Sequence, residues 1–316
     1  MRAVALGGGH GLQGTLAALR RITDLVSAVV TVADDGGSSG RLRRELGVLP
    51  PGDLRQAIVT LAGADTPDGT SLWGEVFQHR FGGDGALAGH AVGNLLLAGL
   101  LEVLGDPVRS LDAACALLGV RGRVLPMCED PLDIEADVTG LDSDPAAVRR
   151  IRGQVAVATT PGSVQRVRLH ALGRVGEQPV ACAAAVQAVL EADLVLLGPG
   201  SWFTSVLPHL LVPRLHDALV STTARKAVIL NLVPQPGETA GFSPEQHLRV
   251  LRAHAPELHL HAVIADKQSV VATGDLHNAA TAMGARLLLD RIASAHAVDR
   301  HDPTALAGCL LQLLGP

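Results

Sequence analysis

Short apolar runs alternate with stretches of helical apolar spacing along most of the chain. Residues 2–6 form an apolar run, residues 12–22 carry apolar positions at helical spacing, and residues 27–33 form a second apolar run. This order predicts a strand, a helix and a strand, with a crossover long enough to join parallel strands. The chain therefore opens as a βαβ unit, which predicts a Rossmann-like, doubly wound and mostly parallel α/β sheet.

The same alternation continues through the rest of the chain. Helical spacing recurs over residues 53–62, 71–81, 91–104, 111–118, 182–191, 244–254 and 303–314, with further helices starting at Trp202 and Arg214, and short apolar runs recur at 193–197, 227–232, 260–264 and 285–289. Between residues 122 and 171 shorter β-like segments predict a small β-rich insertion. Because neither an internal repeat nor a linker interrupts the pattern, we expect a single α/β domain over residues 1–316 with helical and short β insertions.

Composition narrows the class of protein. The chain has 316 residues, 47% of them hydrophobic, and a formal net charge of −5. A nucleic-acid-binding protein usually carries a basic face, and the sequence has no basic run. The four cysteines lie far apart, and the apolar runs are too short for a signal peptide or a membrane span. We therefore expect a cytoplasmic, soluble protein that neither binds nucleic acid nor inserts into a membrane.

Two glycine-rich segments carry the clearest chemical signal. Residues 7–11 (GGGHG) follow the first strand, residues 198–201 (GPGS) follow the strand at 193–197, and each leads into a helical pattern. Glycine lets the backbone approach a ligand closely, and a helix start offers unpaired N–H groups and a positive dipole end to an anion. The two segments predict a phosphorylated ligand, with Ser201, Thr204 and Asn231 on the opposite wall of its site.

An acidic pair follows the second strand. Asp34 and Asp35 are placed where paired carboxylates hold Mg²⁺ in such sheets, and Ser38, Ser39 and Arg41 follow in a polar segment that we expect to be an extended loop. The alternative is that the two aspartates only start and cap a turn. Glycines at 9, 11 and 14, with an acid about 20 residues on, also fit the dinucleotide fingerprint. An NAD-binding oxidoreductase is therefore a further hypothesis, although two adjacent acids and a loop fit it poorly.

Three polar residues stand out in helical segments. Asp53 is placed as an N-cap, and Arg55 follows it in the first helical turn, where a cation opposes the helix dipole. Its presence there is better explained by an anionic neighbour or ligand than by helix stability, although a solvated arginine is the alternative. Asn94 lies within an apolar helix and needs a partner if it is buried, so a structural role and a ligand-facing role both fit.

Several segments together resemble one family from end to end. Residues 7–12 (GGGHGL), 32–43 (VADDGGSSGRLR), 51–55 (PGDLR), 89–95 (GHAVGNL) and 198–201 resemble the gluconeogenesis factor family (YvcK-type), within the CofD-like superfamily. The resemblance implies a CofD-like fold and a cytoplasmic protein that binds UDP-sugars, notably UDP-N-acetylglucosamine, and supports cell shape and peptidoglycan synthesis during gluconeogenic growth. His10 departs from the threonine that is frequent in the family.

The resemblance also sets expectations about activity and partners. It favours a non-catalytic binding protein, since no reaction is firmly attached to this branch. The alternative is a CofD-like 2-phospho-L-lactate transferase, which uses a nucleotide-linked donor and Mg²⁺. The implied partners are cell-wall synthesis proteins and a Ser/Thr kinase, and a homo-oligomer is compatible with the resemblance.

Sequence and resemblance together define a set of expected site residues. The expected ligand-binding residues are Gly8, Gly9, His10, Gly11, Leu12, Asp34, Asp35, Ser38, Ser39, Arg41, Asp53, Arg55, Asn94, Gly198, Gly200, Ser201, Thr204 and Asn231. Asp34 and Asp35 are the expected Mg²⁺ ligands, and no catalytic residue is assigned.

Overall fold

The computed structural model describes residues 1–63, 72–172, 177–235 and 237–314. The strands are β1 Ala3–Gly7, β2 Val26–Val30, β3 Arg123–Pro126, β4 Leu132–Thr139, β5 Arg149–Arg152, β6 Ser163–Ala171, β7 Leu194–Leu197, β8 Arg225–Ile229, β9 Ala262–Asp266, β10 Arg286–Asp290, β11 Ala293–Ser294 and β12 Ala297–His301. The helices are α1 Gly9–Leu19, α2 Gly37–Leu46, α3 Pro51–Ala62, α4 Leu72–Gln78, α5 Val92–Leu104, α6 Pro107–Leu117, α7 Gln154–Ala158, α8 Ala183–Leu190, α9 Pro213–Ser221, α10 Pro244–His254, α11 Thr273–Thr281 and α12 Pro303–Leu314.

Seven strands form the central sheet, in the order β10-β9-β8-β7-β1-β2-β3, and every neighbouring pair is parallel. The central strands β1 and β7 consist of apolar residues and glycine and are buried along their whole length. Near-continuous apolar strands are typical of parallel sheets, because helices cover both faces. The structure thus confirms the predicted doubly wound, mostly parallel α/β fold.

The chain reverses its direction of travel across the sheet beside β1. It runs from β1 through β2 to β3 at one edge, and after the intervening segments it returns to β7 on the other side of β1 and continues to β10. The carboxyl ends of β1 and β7 therefore flank a topological switch point, where doubly wound sheets leave a crevice for ligands.

The chain segment between β3 and α8 forms a second sheet. Strands β5, β4 and β6 pair antiparallel in the order β5-β4-β6. Strand β4 alternates buried apolar and partly exposed polar residues, as expected of a sheet with one solvated face. On the solvated face, ion pairs link Asp133, Glu135 and Asp137 of β4 to arginines of the neighbouring strands. The single-domain arrangement over residues 1–316 stays a prediction.

The structure corrects several element predictions. The segment from Gly37 is helix α2, not an extended loop, and buries Ser38, Ser39, Leu42 and Arg43. The second strand ends at Val30 rather than at residue 33. Helix α11 and the β11–β12 hairpin were not predicted. Of the helix predicted over residues 71–81, Ser71 lies outside the described residues and α4 ends at Gln78.

The segment after β7 is not a regular α-helix. Trp202–Val206 forms a π-helical turn and Leu207–Leu211 a 3₁₀ helix, both almost fully buried. Among the described residues, no helix is long and apolar enough to cross a membrane.

Candidate functional site

The two glycine segments predicted to bind an anion lie side by side at the switch point. Thr15 of α1 donates from Oγ1 to the Gly198 carbonyl at 3.0 Å. A Cβ at Gly11 would lie 2.2 Å from the Pro199 carbonyl oxygen, so only glycine permits this approach. The segments after β1 and β7 are therefore in direct backbone contact.

A cleft opens on both sides of this contact. The small chamber, about 290 Å³, is lined by Gly8, Gly9, His10, Gly11, Thr31, Asp34, Asp53, Gln154, Gly200, Ser201, Thr204, Ser205 and Gln235. The large chamber, about 680 Å³, is lined by His10, Gly11, Gln13, Gly14, Ala17, Pro199, Gly200, Asn231, Leu232, Val233, Pro234, Gln235, Ser294, Asp299, Arg300, His301 and Pro303. The chambers share His10, Gly11, Gly200 and Gln235, which we call the waist of the cleft.

Asp53 forms one side of the small chamber. Helix α3 starts at Pro51, so Asp53 lies in its first turn rather than at the predicted N-cap. Its carboxylate accepts a hydrogen bond from the Gly9 N–H, and a Cβ at Gly8 would lie 2.5 Å from Asp53 Oδ2. Burial, together with the nearby charge of Asp34, raises the pKa of Asp53 to about 7. Asp53 therefore exchanges a proton near neutral pH.

Asp34 faces the same chamber. Its Oδ1 accepts the Gly36 N–H at 2.9 Å, and the Ser39 side chain also hydrogen-bonds to this carboxylate. Burial raises the pKa of Asp34 above its usual value, while these hydrogen bonds act in the opposite direction. The acid pair facing the small chamber is thus Asp34 with Asp53, rather than the predicted Asp34 with Asp35.

Asp35 lies outside both chambers. Its Oδ2 accepts the Gln154 N–H at 3.0 Å and its Oδ1 accepts the Val155 N–H at 2.9 Å. These are first-turn amides of α7, so Asp35 caps a helix that is distant in sequence. Asp35 therefore holds α7 and does not face the ligand chambers, and its predicted role as a Mg²⁺ ligand stays a prediction.

Three predicted ligand-binding residues, Ser38 of α2, Arg55 of α3 and Asn94 of α5, form a buried hydrogen-bond network and do not line the cleft. Ser38 Oγ lies 2.9 Å from His90 Nδ1 and accepts a hydrogen bond of the same length from Asn94 Nδ2. Arg55 donates from Nε to Asn94 Oδ1 at 2.8 Å and also hydrogen-bonds to Gln78. Burial, with Arg80 nearby, lowers the pKa of Arg55 to about 10, while Asp53 acts in the opposite direction. Arg55 is therefore stabilised by the charge of Asp53 and by hydrogen bonds to the neutral side chains of Asn94 and Gln78. Of the two roles that the sequence left open for Asn94, the structure shows the structural one.

Ser201 and Thr204 share a partner that sequence reasoning missed. Buried Glu238 accepts hydrogen bonds from both hydroxyls, at 2.6 Å from Thr204 Oγ1, and from the Phe203 N–H at 3.0 Å. This carboxylate holds the start of the π-helical turn after β7. Ser201 and Thr204 still line the small chamber, but their hydroxyls are oriented by Glu238.

The structure brings together part of the predicted set. Gly8, Gly9, His10, Gly11, Asp34, Asp53, Gly200, Ser201 and Thr204 line the small chamber, and Asn231 lines the large one. The predicted residues that line neither chamber are Leu12, Asp35, Ser38, Ser39, Arg41, Arg55, Asn94 and Gly198. Leu12 is buried in the core, Arg41 donates to the Ala88 carbonyl, and Ser39 accepts the Gly52 N–H.

Several lining residues had no signal in the sequence. Thr31, Gln154, Ser205 and Gln235 enter the cleft from separate elements, and Asp299 and Arg300 enter it together from β12. None of them belongs to a sequence motif, so only the fold identifies them. The described ranges contain no group of three or more His, Cys, Asp or Glu side chains arranged to hold a metal ion. Asp34 and Asp53 are hard oxygen donors that suit Mg²⁺ if a ligand phosphate supplies further oxygens.

The family model described as 2-phospho-L-lactate transferase CofD matches residues 3–300. The chain is 58% identical over 310 residues to the "Putative gluconeogenesis factor" of Mycobacterium tuberculosis, covering 97% of this chain and 88% of that protein. It is 39% identical over 257 residues to the "Gluconeogenesis factor" of Halalkalibacterium halodurans, covering 79% of this chain and 73% of that protein.

A solved structure gives the same answer for the fold. A crystal structure of a UPF0052 family member from Bacillus halodurans superposes with a TM-score of 0.85 at 32% identity, covering 98% of both chains. The fold and the cleft define a doubly wound α/β protein with a ligand crevice at the switch point. The chain belongs to the CofD family, in the group whose members are named gluconeogenesis factors, which confirms the resemblance found in the sequence.

Proposed function

We propose that this protein is a cytoplasmic regulator that binds a nucleotide-sugar of the UDP-N-acetylglucosamine type. In this role it would act as a gluconeogenesis factor needed for cell shape and wall synthesis under gluconeogenic growth. The names of its relatives support the gluconeogenesis factor part of the proposal, and the roles in cell shape and wall synthesis rest on the resemblance of the sequence. Cell-wall synthesis proteins and a Ser/Thr kinase are the partners that the proposal includes.

The observation that carries the proposal is the two-chamber cleft at the switch point. Its chambers, about 290 and 680 Å³, lie within or near the size range of small-molecule sites and share the four lining residues of the waist. A ligand with two bulky ends joined by a charged middle suits two adjoining chambers. Nucleotide-sugars have this form, with the diphosphate between sugar and nucleoside.

Polar groups at the waist suit a diphosphate. Helix α1 starts at Gly9, so His10 and Gly11 lie in its first turn, whose N–H groups have no partner within the helix. The positive end of the helix dipole favours an anion at this position. Arg300, on the wall of the large chamber, adds a cation that can pair with phosphate oxygens.

A CofD-like 2-phospho-L-lactate transferase is the second candidate. The description of the matching family model and the acid pair Asp34 and Asp53 favour it, because two carboxylates can hold a Mg²⁺ that neutralises a transferring phosphoryl group.

Calorimetric titration of the full chain separates these candidates. UDP-N-acetylglucosamine, GDP and NAD are each titrated with and without Mg²⁺. The proposal predicts saturable binding of the uridine nucleotide-sugar with little heat from NAD. Preferential binding of GDP in the presence of Mg²⁺, with turnover of a nucleotide-linked lactate donor and a deazaflavin acceptor, would favour the transferase. Preferential NAD binding would move the assignment to an oxidoreductase.

A further inference from the structure

The two chambers of the cleft differ in charge. Two carboxylates, Asp34 and Asp53, face the small chamber, and its described lining residues include neither lysine nor arginine. The large chamber has Arg300 beside Asp299, and no second acid among its described lining residues. The cleft is therefore polarised along its length, from an acidic end to a more balanced end.

This polarity decides where a diphosphate can lie. A phosphate in the small chamber would face both carboxylates at short range, where like charges repel. The waist instead offers the first-turn amides of His10 and Gly11 in α1, which are hydrogen-bond donors that phosphate oxygens can accept from. The diphosphate is therefore favoured at the waist and toward Arg300.

The small chamber complements an uncharged group rich in hydroxyls. Carboxylates accept hydrogen bonds from hydroxyls, and both Asp34 and Asp53 line this chamber. Thr31 is 3% exposed and lines this chamber, yet its hydroxyl has no partner in the described ranges. A buried hydroxyl without a partner is rare in folded proteins, and a ligand group would satisfy it.

We propose that the small chamber is the sugar subsite, in which Asp53, Asp34 and Thr31 hydrogen-bond to the hydroxyls of the ligand's sugar. The diphosphate then lies at the waist and the nucleoside in the large chamber. This orientation rests on the proposed function, because it assumes that the ligand is a nucleotide-sugar. It adds which end of the cleft selects the sugar and which residues do so.

The test compares UDP with UDP-N-acetylglucosamine by calorimetry on the full chain. In the wild-type protein the sugar should strengthen binding over UDP. Asp53→Asn and Thr31→Val should each reduce that margin, Asp53→Asn by roughly tenfold, the size of a lost hydrogen bond to a charged group. UDP affinity should change little in both variants. Thr31→Val nearly preserves shape, so it remains informative if Asp53→Asn folds poorly.

Asp299→Asn is the matched control, since it removes one acid from the large chamber. It should change the affinities for UDP and UDP-N-acetylglucosamine by the same factor and leave the margin intact. Equal losses for both ligands in Asp53→Asn, with a requirement for Mg²⁺, would place the phosphates at the acids and overturn the orientation. Equal wild-type affinity for the two ligands would also overturn it while leaving nucleotide binding standing. If neither ligand binds, both the orientation and the proposed function fail.

Discussion

The side-chain amide of Asn231 hydrogen-bonds to both the N–H and the carbonyl group of Gly200. Gly200 N–H donates to Asn231 Oδ1 at 2.8 Å, and Asn231 Nδ2 donates to the Gly200 carbonyl at 2.9 Å. Asn231 follows β8, whereas Gly200 follows β7, so this pair ties the segment at the waist of the cleft to the neighbouring strand. The amide of Gly200 is therefore used within the protein and is not a free anion donor.

Removing these two hydrogen bonds should destabilise the fold and weaken ligand binding. Asn231→Ala deletes two hydrogen bonds, so we expect the free energy of unfolding to fall by about 1–3 kcal/mol. Binding of UDP-N-acetylglucosamine should weaken with it, because Gly200 is part of the waist. Asn231→Asp keeps the acceptor but sets a carboxylate oxygen against the Gly200 carbonyl, and it should cost at least as much. Urea unfolding and calorimetry measure both effects, and wild-type values for Asn231→Asp would contradict this role.

Gly11 tests the contact between the two glycine segments. Its Cβ would lie 2.2 Å from the Pro199 carbonyl oxygen, so Gly11→Ala must push the segments after β1 and β7 apart. We expect loss of most nucleotide-sugar binding in a protein that still unfolds cooperatively. Gly99→Ala in α5 is the matched control, because nothing lies within 4 Å of the added methyl group. Equal titration curves for the two variants would argue against the contact.

Asp35 should matter for stability and not for the ligand. Asp35→Ala removes a helix cap from α7, which costs about 1 kcal/mol of unfolding free energy. Because Asp35 lines neither chamber, the affinity for UDP-N-acetylglucosamine should stay within about twofold of wild type, below the effect of one lost hydrogen bond. Denaturant unfolding and calorimetry on the same preparation decide the point. A large affinity loss without a stability loss would restore Asp35 as a ligand contact.

Buried histidine makes the fold sensitive to acid. His209 is fully buried between the Val206 and Val29 carbonyls, and burial lowers its pKa from 6.5 to about 4. In the unfolded chain the His209 imidazole is protonated below about pH 6.5, whereas in the folded protein it is protonated only below about pH 4. Stability is therefore lost as pH falls through this window, by about 3 kcal/mol for this group at the acid end.

Substitution of this histidine should reduce that loss. Unfolding of wild type and of His209→Gln is followed between pH 7.5 and pH 4, and the variant should show the shallower decline. Some decline should remain, because burial also lowers the pKa of His301 to about 4. Identical slopes would contradict the assignment to His209.

The sheet and the two glycine segments were predictable because they rest on local patterns. Apolar strands, crossover helices and strand-to-helix glycines are contiguous in sequence, and parallel topology then brings the segments together. Helix α2 was missed because its first turn, Gly37-Ser38-Ser39-Gly40, has low helix propensity. Tertiary contacts outweigh that propensity: Ser38 pairs with His90 and Asn94, and buried Arg43 donates to the Ala33 carbonyl and pairs with Asp133.

The site was less predictable because its polar residues depend on long-range contacts. Asp35 looks like a ligand beside Asp34, but its partners in α7 lie about 120 residues away. Thr31 and Gln235 line the cleft from two separate segments, and Glu238, which orients Ser201 and Thr204, follows Gln235 by three residues; no spacing connects these residues to the glycine segments in sequence. Apolar periodicity therefore locates the crevice, whereas the identity of its walls requires the folded chain.

A crystal structure of the protein with UDP-N-acetylglucosamine tests the central claim most directly. The account predicts ligand density across the switch point, with the sugar against Asp53 and Thr31, the diphosphate at the waist, and uridine toward Arg300. Density at another surface, or an empty cleft at saturating ligand concentration, would contradict it.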